Sequence, residues 1–264
     1  MRTILTLPLL LIGGVAAAAD EVATDYWVRA LPSVWFAQVR GEASYGTNNA
    51  SPTRFSADGI GLGNREPSFM IEVAAKVPFL FGVHAGVSSF TTDGSTTLSS
   101  NLTFADKTFT AGTNIASDIT LRDLWAEICI RPLSLDIAGV SVGLAVHQLA
   151  TEMTISGGGQ SARFSETPLI PVVAVRGHVN LPFIPGLGVE AKIHALSIPL
   201  PNLHPSYLDA DLHVSYRPWE LLGFTAGYRY VRWNIGIDDP NGSGSSADLS
   251  LTLSGPYLGL IAKF

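Results

Sequence analysis

The residues that decide the fold are 249–264, LSLTLSGPYLGLIAKF, at the end of the chain. From Pro256 onward, every second residue is apolar up to the last one: Pro256, Leu258, Leu260, Ala262 and Phe264. The residues between them are Tyr257, Gly259, Ile261 and Lys263. Because successive side chains of a β-strand point to opposite faces, this alternation predicts a closing strand with one apolar face.

The composition is that of a membrane protein without membrane helices. Hydrophobic residues make up 47% of the 264 residues and charged residues only 14%, and the mean hydropathy is +0.29. Past the N-terminus, however, no apolar run approaches the roughly 20 residues that a spanning helix needs. The apolar residues alternate with polar ones instead, which is the pattern of lipid-facing strands in a transmembrane β-barrel.

The N-terminus predicts export. An apolar run at 4–19 follows Arg2 and ends in small residues before Asp20, as in a secretory signal peptide. We expect residues 1–19 to be removed by cleavage after Ala19, with Ala17 as the alternative, and residues 20–264 to form one barrel domain. Loss of Arg2 lowers the Lys and Arg count from 16 to 15 against 22 acids, a net charge of −7. This mildly acidic, exported chain is a poor candidate for binding nucleic acid.

Cys129 is the one cysteine of the sequence. It cannot form an intramolecular disulfide, so packing and hydrogen bonding must hold the fold. We expect a small buried filler here rather than a catalytic thiol.

Strands and turns recur along the chain. The first strand is predicted at 33–45, with Trp35, Ala37 and Val39 on the lipid face and Arg40 and Glu42 on the other. Four units then follow, each a strand, a proline-containing turn and a returning strand, with turns at 77–82, 131–134, 181–186 and 217–220. Longer polar connections lie at 46–67, 91–117, 155–167, 199–205 and 236–247.

This arrangement predicts an all-β fold, a transmembrane antiparallel β-barrel of ten strands, with eight as the alternative count. Short turns at one rim and long loops at the other are typical of outer-membrane barrels, whose short side is periplasmic. Charged residues in the strands mostly avoid the apolar face, where an Arg or Lys at the lipid midplane costs about 2–4 kcal/mol. A soluble barrel would put the apolar face inside, and alternation alone leaves that inversion open.

The chain end resembles the C-terminal signature of bacterial outer-membrane β-barrel proteins, in which a terminal Phe follows alternating apolar residues. Pro256 stands where that signature commonly has a tyrosine, and Tyr257 follows it. The resemblance implies that Phe264 is the signal that the barrel-assembly machinery recognises.

Several short motifs also resemble an uncharacterised family of proteobacterial outer-membrane β-barrel proteins. They lie at 77–80, 121–125, 181–188, 226–229 and 255–260. The family implies a barrel in the outer membrane and supplies no activity and no site residues.

The inward parity carries most of the strand charges and predicts a polar network in a lumen that side chains largely fill. Its predicted members are Arg40, Glu42, Glu72, Asp123, Glu127, His147, Arg176, His178, Glu190, Lys192, His194, Asp209, Asp211, His213 and Arg229. If the two strands of each hairpin pair symmetrically about their turn, His178 lies opposite Glu190, Asp211 opposite Arg229, and Asp123 opposite His147. A polar track for a solute or proton is the alternative to a filled lumen.

Catalysis and metal binding are not expected. Five histidines face inward, but no His-x-His or His-x3-His spacing occurs, so we expect no metal and no cofactor. His204 and Asp238 could meet at the loop rim, as in outer-membrane proteases or lipid A deacylases, but no Gly-x-Ser-x-Gly accompanies them.

The sequence therefore predicts a monomeric, integral outer-membrane protein without enzymatic activity. Its expected partners are outer-membrane lipid, lipopolysaccharide and the assembly machinery. A narrow pore is the second hypothesis, and an enzyme at the rim is the third.

Overall fold

The computed structural model describes residues 27–46, 52–77, 81–135, 137–197, 206–237 and 246–264. The expected signal peptide, His204 and Asp238 lie outside these ranges. Among the described residues, no helix is long and apolar enough to cross a bilayer.

Within these ranges, ten strands form one closed antiparallel barrel, which confirms the predicted fold class and strand number. Each strand pairs with its neighbours in sequence, and the last pairs with the first. The strands are β1 (Val28–Gly46), β2 (Arg65–Val77), β3 (Phe81–Thr97), β4 (Asn114–Ser134), β5 (Ala138–Gly157), β6 (Leu169–Asn180), β7 (Leu187–Ser197), β8 (Ser206–Tyr216), β9 (Leu222–Ile237) and β10 (Ser246–Lys263).

The chain end closes the barrel. Strand β10 pairs with β1 from Gly46 opposite Ser246 to Arg29 opposite Lys263. The backbone nitrogen of Phe264 donates to the Val28 oxygen at 2.9 Å. Since each of the ten strands then has two partners, the described part of the barrel wall has no open sheet edge.

A belt of apolar side chains surrounds the half of the barrel nearer the short turns. Val173, Leu212 and Leu260 are 51, 57 and 52% exposed on the outside. Tyr257 and Lys263, from the other parity of β10, are buried inside. A lipid-facing surface has this sidedness, and a soluble barrel would show the reverse.

Toward the long loops, the sidedness inverts. Leu249, Leu251 and Leu253 of β10 are buried inside, while Thr252 between them points outward. They join an apolar core, called here the upper core, that also contains Trp35, Ile60, Phe90, Phe104, Ile119, Ile155 and Trp233. Above the belt, the barrel is therefore built like a soluble protein, apolar within and polar without.

The inversion makes the predicted sidedness of β1 wrong. Trp35, Ala37 and Val39 are buried in the lumen, and Arg40 and Glu42 point outward. Arg40 and Glu42 lie above the belt, where water surrounds the outer face and no lipid penalises a charge. Trp35 faces inward because its neighbours Val34 and Phe36 occupy the exposed, lipid-facing side of β1.

Three predicted connections also need correction. Strands β3 and β4 pair up to Thr97 opposite Asn114, so the 91–117 loop is shorter than predicted. Likewise β5 runs to Gly157 and pairs there with a short strand, Gln160–Glu166. Strand β4 continues past Pro132 to Ser134 through a bulge between Ile130 and Leu133, so the chain reverses between Leu135 and Ala138 rather than at 131–134. A bulge tolerates proline because the extra residue needs no ladder hydrogen bond.

The loops supply further parts of the upper core. A two-stranded hairpin of Leu102–Phe104 and Lys107–Phe109 contributes Phe104 and Phe109. A 3-10 turn at Asp58–Ile60 contributes Ile60. Apolar side chains from the loops thus help fill the barrel at the long-loop end.

Candidate functional site

Thirteen of the fifteen predicted network residues lie on the lumen face, between the upper core and the short-turn rim. The other two do not. The Arg40 side chain donates to the Gln38 amide oxygen at 2.9 Å on the outer surface. Glu42 is exposed and lies 3.6 Å from the Arg54 guanidinium. Arg40 and Glu42 are therefore excluded from the lumen site.

Arg229 holds two carboxylates together at the top of the polar layer. Its guanidinium donates to both oxygens of Asp209 at 3.0 Å and to Asp123 Oδ2 at 3.1 Å. The side chain is only 2% exposed, and the guanidinium carbon lies 5.2 Å from the ring centre of Trp35. A charge removed from water in this way must be compensated by hydrogen-bonded partners, and Asp209 and Asp123 provide them.

Two imidazoles link two carboxylates beside Arg229. His147 Nδ1 lies 2.8 Å from Asp123, and His147 Nε2 lies 2.8 Å from His194 Nδ1. His194 Nε2 then lies 3.1 Å from Glu127. The Tyr207 hydroxyl also lies 3.0 Å from His147 Nδ1, so these side chains form one continuous chain of polar contacts across the lumen.

Arg176 and Lys192 form the next group toward the short turns. The Arg176 guanidinium binds Glu127 at 2.8 Å and Glu72 at 2.7 Å. The Lys192 ammonium lies 3.4 Å from Asp209 and 3.6 Å from Glu72. These two cations bridge acids from different strands. They connect the Arg229 group, which consists of Arg229, Asp209 and Asp123, to the other charged residues of the lumen.

The lowest group centres on Glu190. Arg29 Nη1 donates to both Glu190 oxygens, at 2.7 and 2.8 Å. His213 Nδ1 lies 2.8 Å from Asp211, which also accepts a hydrogen bond from the Tyr257 hydroxyl at 2.9 Å. Arg29 was not among the predicted members because the first strand was predicted to begin at residue 33, whereas β1 begins at Val28.

The pairs predicted from the symmetry of each hairpin have the correct register in two of the three hairpins. His178 lies opposite Glu190, and Asp211 lies opposite Arg229. Asp123 lies opposite Leu149 instead, two residues from the predicted partner, because the turn that joins β4 and β5 comes later in the chain than predicted. Its side chain nevertheless reaches His147. Glu190 makes its short ion pair with Arg29, and Arg229 makes one with Asp209. Hairpin symmetry predicts neither of these pairs.

No protein-family model matches the chain, and no curated protein matches it in sequence. Among solved structures, the chain is similar to the outer membrane protease OmpT of Escherichia coli, with a TM-score of 0.59 and 9% identity over 92% of this chain and 98% of that one. The fold is that of a bacterial outer-membrane β-barrel. At this identity the likeness concerns the fold alone.

Two further similar structures are also bacterial outer-membrane β-barrels. Ail, the attachment invasion locus protein of Yersinia pestis, has a TM-score of 0.40 and 13% identity over 90% of this chain and 99% of its own. The translocator domain of the autotransporter NalP from Neisseria meningitidis has a TM-score of 0.46 and 12% identity over 90% and 88%. Membership of the particular uncharacterised family stays a prediction.

Two groups of side chains in the lumen resemble metal-ligand sets. One is His147, His194 and Asp209, and the other is His84, Glu127 and Cys129. In the first, Asp209 already pairs with Arg229 and Lys192, so their charges oppose a bound dication. In the second, the buried Cys129 thiol donates to the Gly82 carbonyl at 3.5 Å and fills space between strands.

Two spaces between the side chains in the middle of the lumen are small. One of about 30 Å³ lies among Met70, Glu72 and Tyr257, and one of about 20 Å³ lies among Trp35, Phe90 and Arg229. Each has room for at most one or two water molecules. In the part of the barrel that the structure describes, polar side chains line the lower lumen and apolar side chains line the upper.

Proposed function

We propose that the chain is an integral, monomeric protein of the bacterial outer membrane whose lumen is closed by its own side chains. Its short turns face the periplasm, and its upper core and long loops stand outside the membrane. Its role is to present that outer end at the cell surface, and it neither conducts solutes nor catalyses a reaction.

The observation that carries this proposal is the double closure of the lumen. The Arg229 group fills the cross-section with mutually bonded charges, and the upper core follows directly above it. A ten-stranded barrel is narrow enough for side chains to fill. A solute would have to break buried ion pairs and then displace packed aromatic rings.

Planar-bilayer recording of the refolded full chain tests the closed lumen. We expect no stepwise current under conditions in which an open porin, measured in parallel, gives clear steps. Ala145 and Ala174 face the lumen and are almost fully buried. Stepwise current that disappears in Ala145→Trp or Ala174→Trp would replace the closed barrel by the narrow pore.

A separate assay addresses catalysis at the rim. The full chain is incubated with peptide and lipid A substrates, and we expect both to remain unchanged. Turnover by the natural chain that is lost in His204→Ala would overturn the non-enzymatic part of the proposal. The location and the closed lumen would then still stand.

The proposed partners are lipid and lipopolysaccharide at the belt, and the assembly machinery at β10. Phe264 is 72% exposed, and its side chain is thus accessible at the chain end. Fractionation of cells that express the full chain should place it in the outer membrane. Recovery in the soluble fraction would contradict this location.

A further inference from the structure

Three arginines lie close together on the outer face of the barrel, directly above the apolar belt. Arg40 of β1 and Arg232 of β9 both lie opposite Thr252 of β10, one on each side of it. Arg65 of β2 lies opposite Gln38, which precedes Arg40 by two residues on β1. Neighbouring strands are about 4.8 Å apart, and residues placed diagonally across two strands are about 7–8 Å apart. The three guanidinium groups can therefore reach one region of the outer surface.

The height of these arginines is set by the aromatic residues below them. Phe36, Phe69 and Tyr228 are exposed on the outer face of β1, β2 and β9. Each lies four residues from the arginine of its own strand, on the side of the short turns. An outward arginine is costly near the lipid midplane and is tolerated near the interface. The arginines therefore lie at the level of the lipid headgroups, at the upper edge of the belt.

The charges of these arginines are not compensated by the protein. Arg65 and Arg232 are exposed and make no ion pair or side-chain hydrogen bond with a described residue. Arg40 donates to the amide oxygen of Gln38 at 2.9 Å, and the amide nitrogen of Gln38 donates to the Gly63 carbonyl at 2.6 Å. Since its partner is neutral, Arg40 is held in place and keeps its charge.

Two acids lie higher on the same outer surface, and they share a cation of their own. Glu42 follows Arg40 on the outer face of β1, and Asp248 lies near the start of β10. The Arg54 guanidinium lies 3.6 Å from Glu42 and also binds Asp248. These two acids are therefore occupied by Arg54.

Two further acids are near these arginines in sequence or in space, but neither pairs with them. Glu66 lies opposite the buried Ala37, so it belongs to the inner face of β2. The Asp58 carboxylate lies close to Gly63 in the loop and makes no ion pair with a described cation. Among the described residues, the three outer arginines thus lack an acidic partner.

We propose that Arg40, Arg65 and Arg232, called here the arginine patch, bind the phosphate groups of lipopolysaccharide in the outer leaflet. The inference rests on the proposed function, which places the long loops outside the outer membrane. A planar guanidinium matches two oxygens of a phosphate group, and an anionic headgroup attracts basic side chains at the membrane surface. The acyl chains of the same lipid would lie below, against the belt. Because the patch occupies one side of the barrel, it binds lipopolysaccharide at a defined position rather than evenly around the belt.

The test is calorimetric titration of the refolded full chain in a neutral detergent, with lipid A dispersed in the same detergent as the probe. We expect saturable binding that is weaker by about tenfold or more in the double variant Arg65→Gln, Arg232→Gln, which loses two charges near the headgroup. Both side chains are exposed and unpaired, so the variant should keep its fold, which circular dichroism verifies.

Arg122→Gln is the matched control. Arg122 is also exposed on the outer face, but its neighbours in register, Ser89 and Ala150, carry no charge. Arg122→Gln should therefore bind lipid A like the natural chain. Equal binding by the natural chain and the double variant would overturn the proposal, and so would the absence of saturable binding by the natural chain.

Two other lipids test which group is recognised. Lipid A without its phosphate groups should bind the natural chain much more weakly than intact lipid A, and undiminished binding would overturn the role of phosphate. Phosphatidylglycerol should also bind more weakly, and equal binding would overturn the assignment to lipopolysaccharide. The titration uses purified protein, so it can fail while cell fractionation still supports the outer-membrane location, and the reverse can also occur.

Discussion

Arg229 donates hydrogen bonds to Asp209 and Asp123 at the same time, and its side chain is only 2% exposed. Arg229→Met would leave these acids without their main counter-charge. Breaking a buried pair by removing one partner costs about 3–5 kcal/mol. We therefore expect the free energy of unfolding, measured by denaturant titration in lipid vesicles, to fall by that order.

A nearby arginine provides the control. Arg232 follows on the same strand, and its side chain is exposed on the outer face. Arg232→Met should change stability by less than about 0.5 kcal/mol, as is usual for surface substitutions. Adding Asp209→Asn to Arg229→Met should recover part of the loss. Equal costs for the two arginine variants would show that Arg229 acts through its bulk rather than its charge.

Asp118 illustrates the opposite situation, on the outer face above the belt. Partial burial, and then the charges of Asp93 and Glu152, raise the pKa of Asp118 above its ordinary value. A raised carboxyl pKa means that the ionised form destabilises the folded state, and that this penalty disappears as the pH falls below the unfolded-state pKa. Asp118→Asn should therefore raise the denaturation midpoint at pH 7 and have no such effect near about pH 3.5. A gain that is the same at both pH values would contradict this origin.

At the scale of the element, β10 combines both kinds of sidedness in one strand. Leu258 and Thr252 both point outward, but Leu258 lies in the apolar belt and Thr252 lies above it. Leu258→Arg should destabilise the barrel in vesicles by about 2–4 kcal/mol, the cost of an arginine near the lipid midplane. Thr252→Arg, on the same face, should cost less than about 1 kcal/mol, as expected near the interface. Similar losses would mean that the belt ends elsewhere.

Phe264 belongs to the same strand but serves a different role. Its backbone pairs with Val28, while its side chain lies exposed. Phe264→Ala should therefore leave stability after refolding nearly unchanged and reduce the amount of barrel assembled in the outer membrane of cells. The amount of folded barrel in the outer membrane is measured by heat-modifiable gel mobility for the natural chain and for Phe264→Ala. Normal assembly of Phe264→Ala would exclude the side chain as the recognition signal.

The elements show what alternation could and could not predict. The two-residue period assigned the two faces of β10 correctly from Pro256 to Lys263. In that part of the strand, apolar side chains face outward, and Tyr257 and Lys263 face the lumen. The same period failed for Trp35 and Arg40 in β1, since alternation contains no information about height relative to the membrane. Pro132 was interpreted as a turn for a similar reason: its missing N–H fits a bulge within a strand as well as the end of one.

At the scale of the whole molecule, the contacts of the lumen depend on closure. Arg29 and Glu190 are 161 residues apart in sequence, and Arg229 and Asp123 are 106 apart. Parity predicts that such side chains share the lumen. Which of them meet depends on the stagger of the strands around the barrel and on bulges such as the one in β4. The composition of the polar layer was therefore largely predictable, whereas most of its pairing was not.

The closed lumen that we propose has two barriers in series, and this arrangement makes a prediction that neither barrier alone would make. Phe90→Ala with Trp233→Ala would open space in the upper core, where both rings are fully buried. Arg229→Ala with Asp209→Ala would open the polar layer and remove a cation and an anion together, which avoids an unpaired charge.

Ions must pass both layers, so each double variant alone should remain closed in planar bilayers. The quadruple variant should show stepwise current. Each substitution of a large side chain leaves a cavity and lowers stability, so folding has to be verified by the retained β-sheet dichroism before recording. Current in the upper-core variant alone would mean that the charged layer is permeable, and the closure of the barrel would then rest on its aromatic rings.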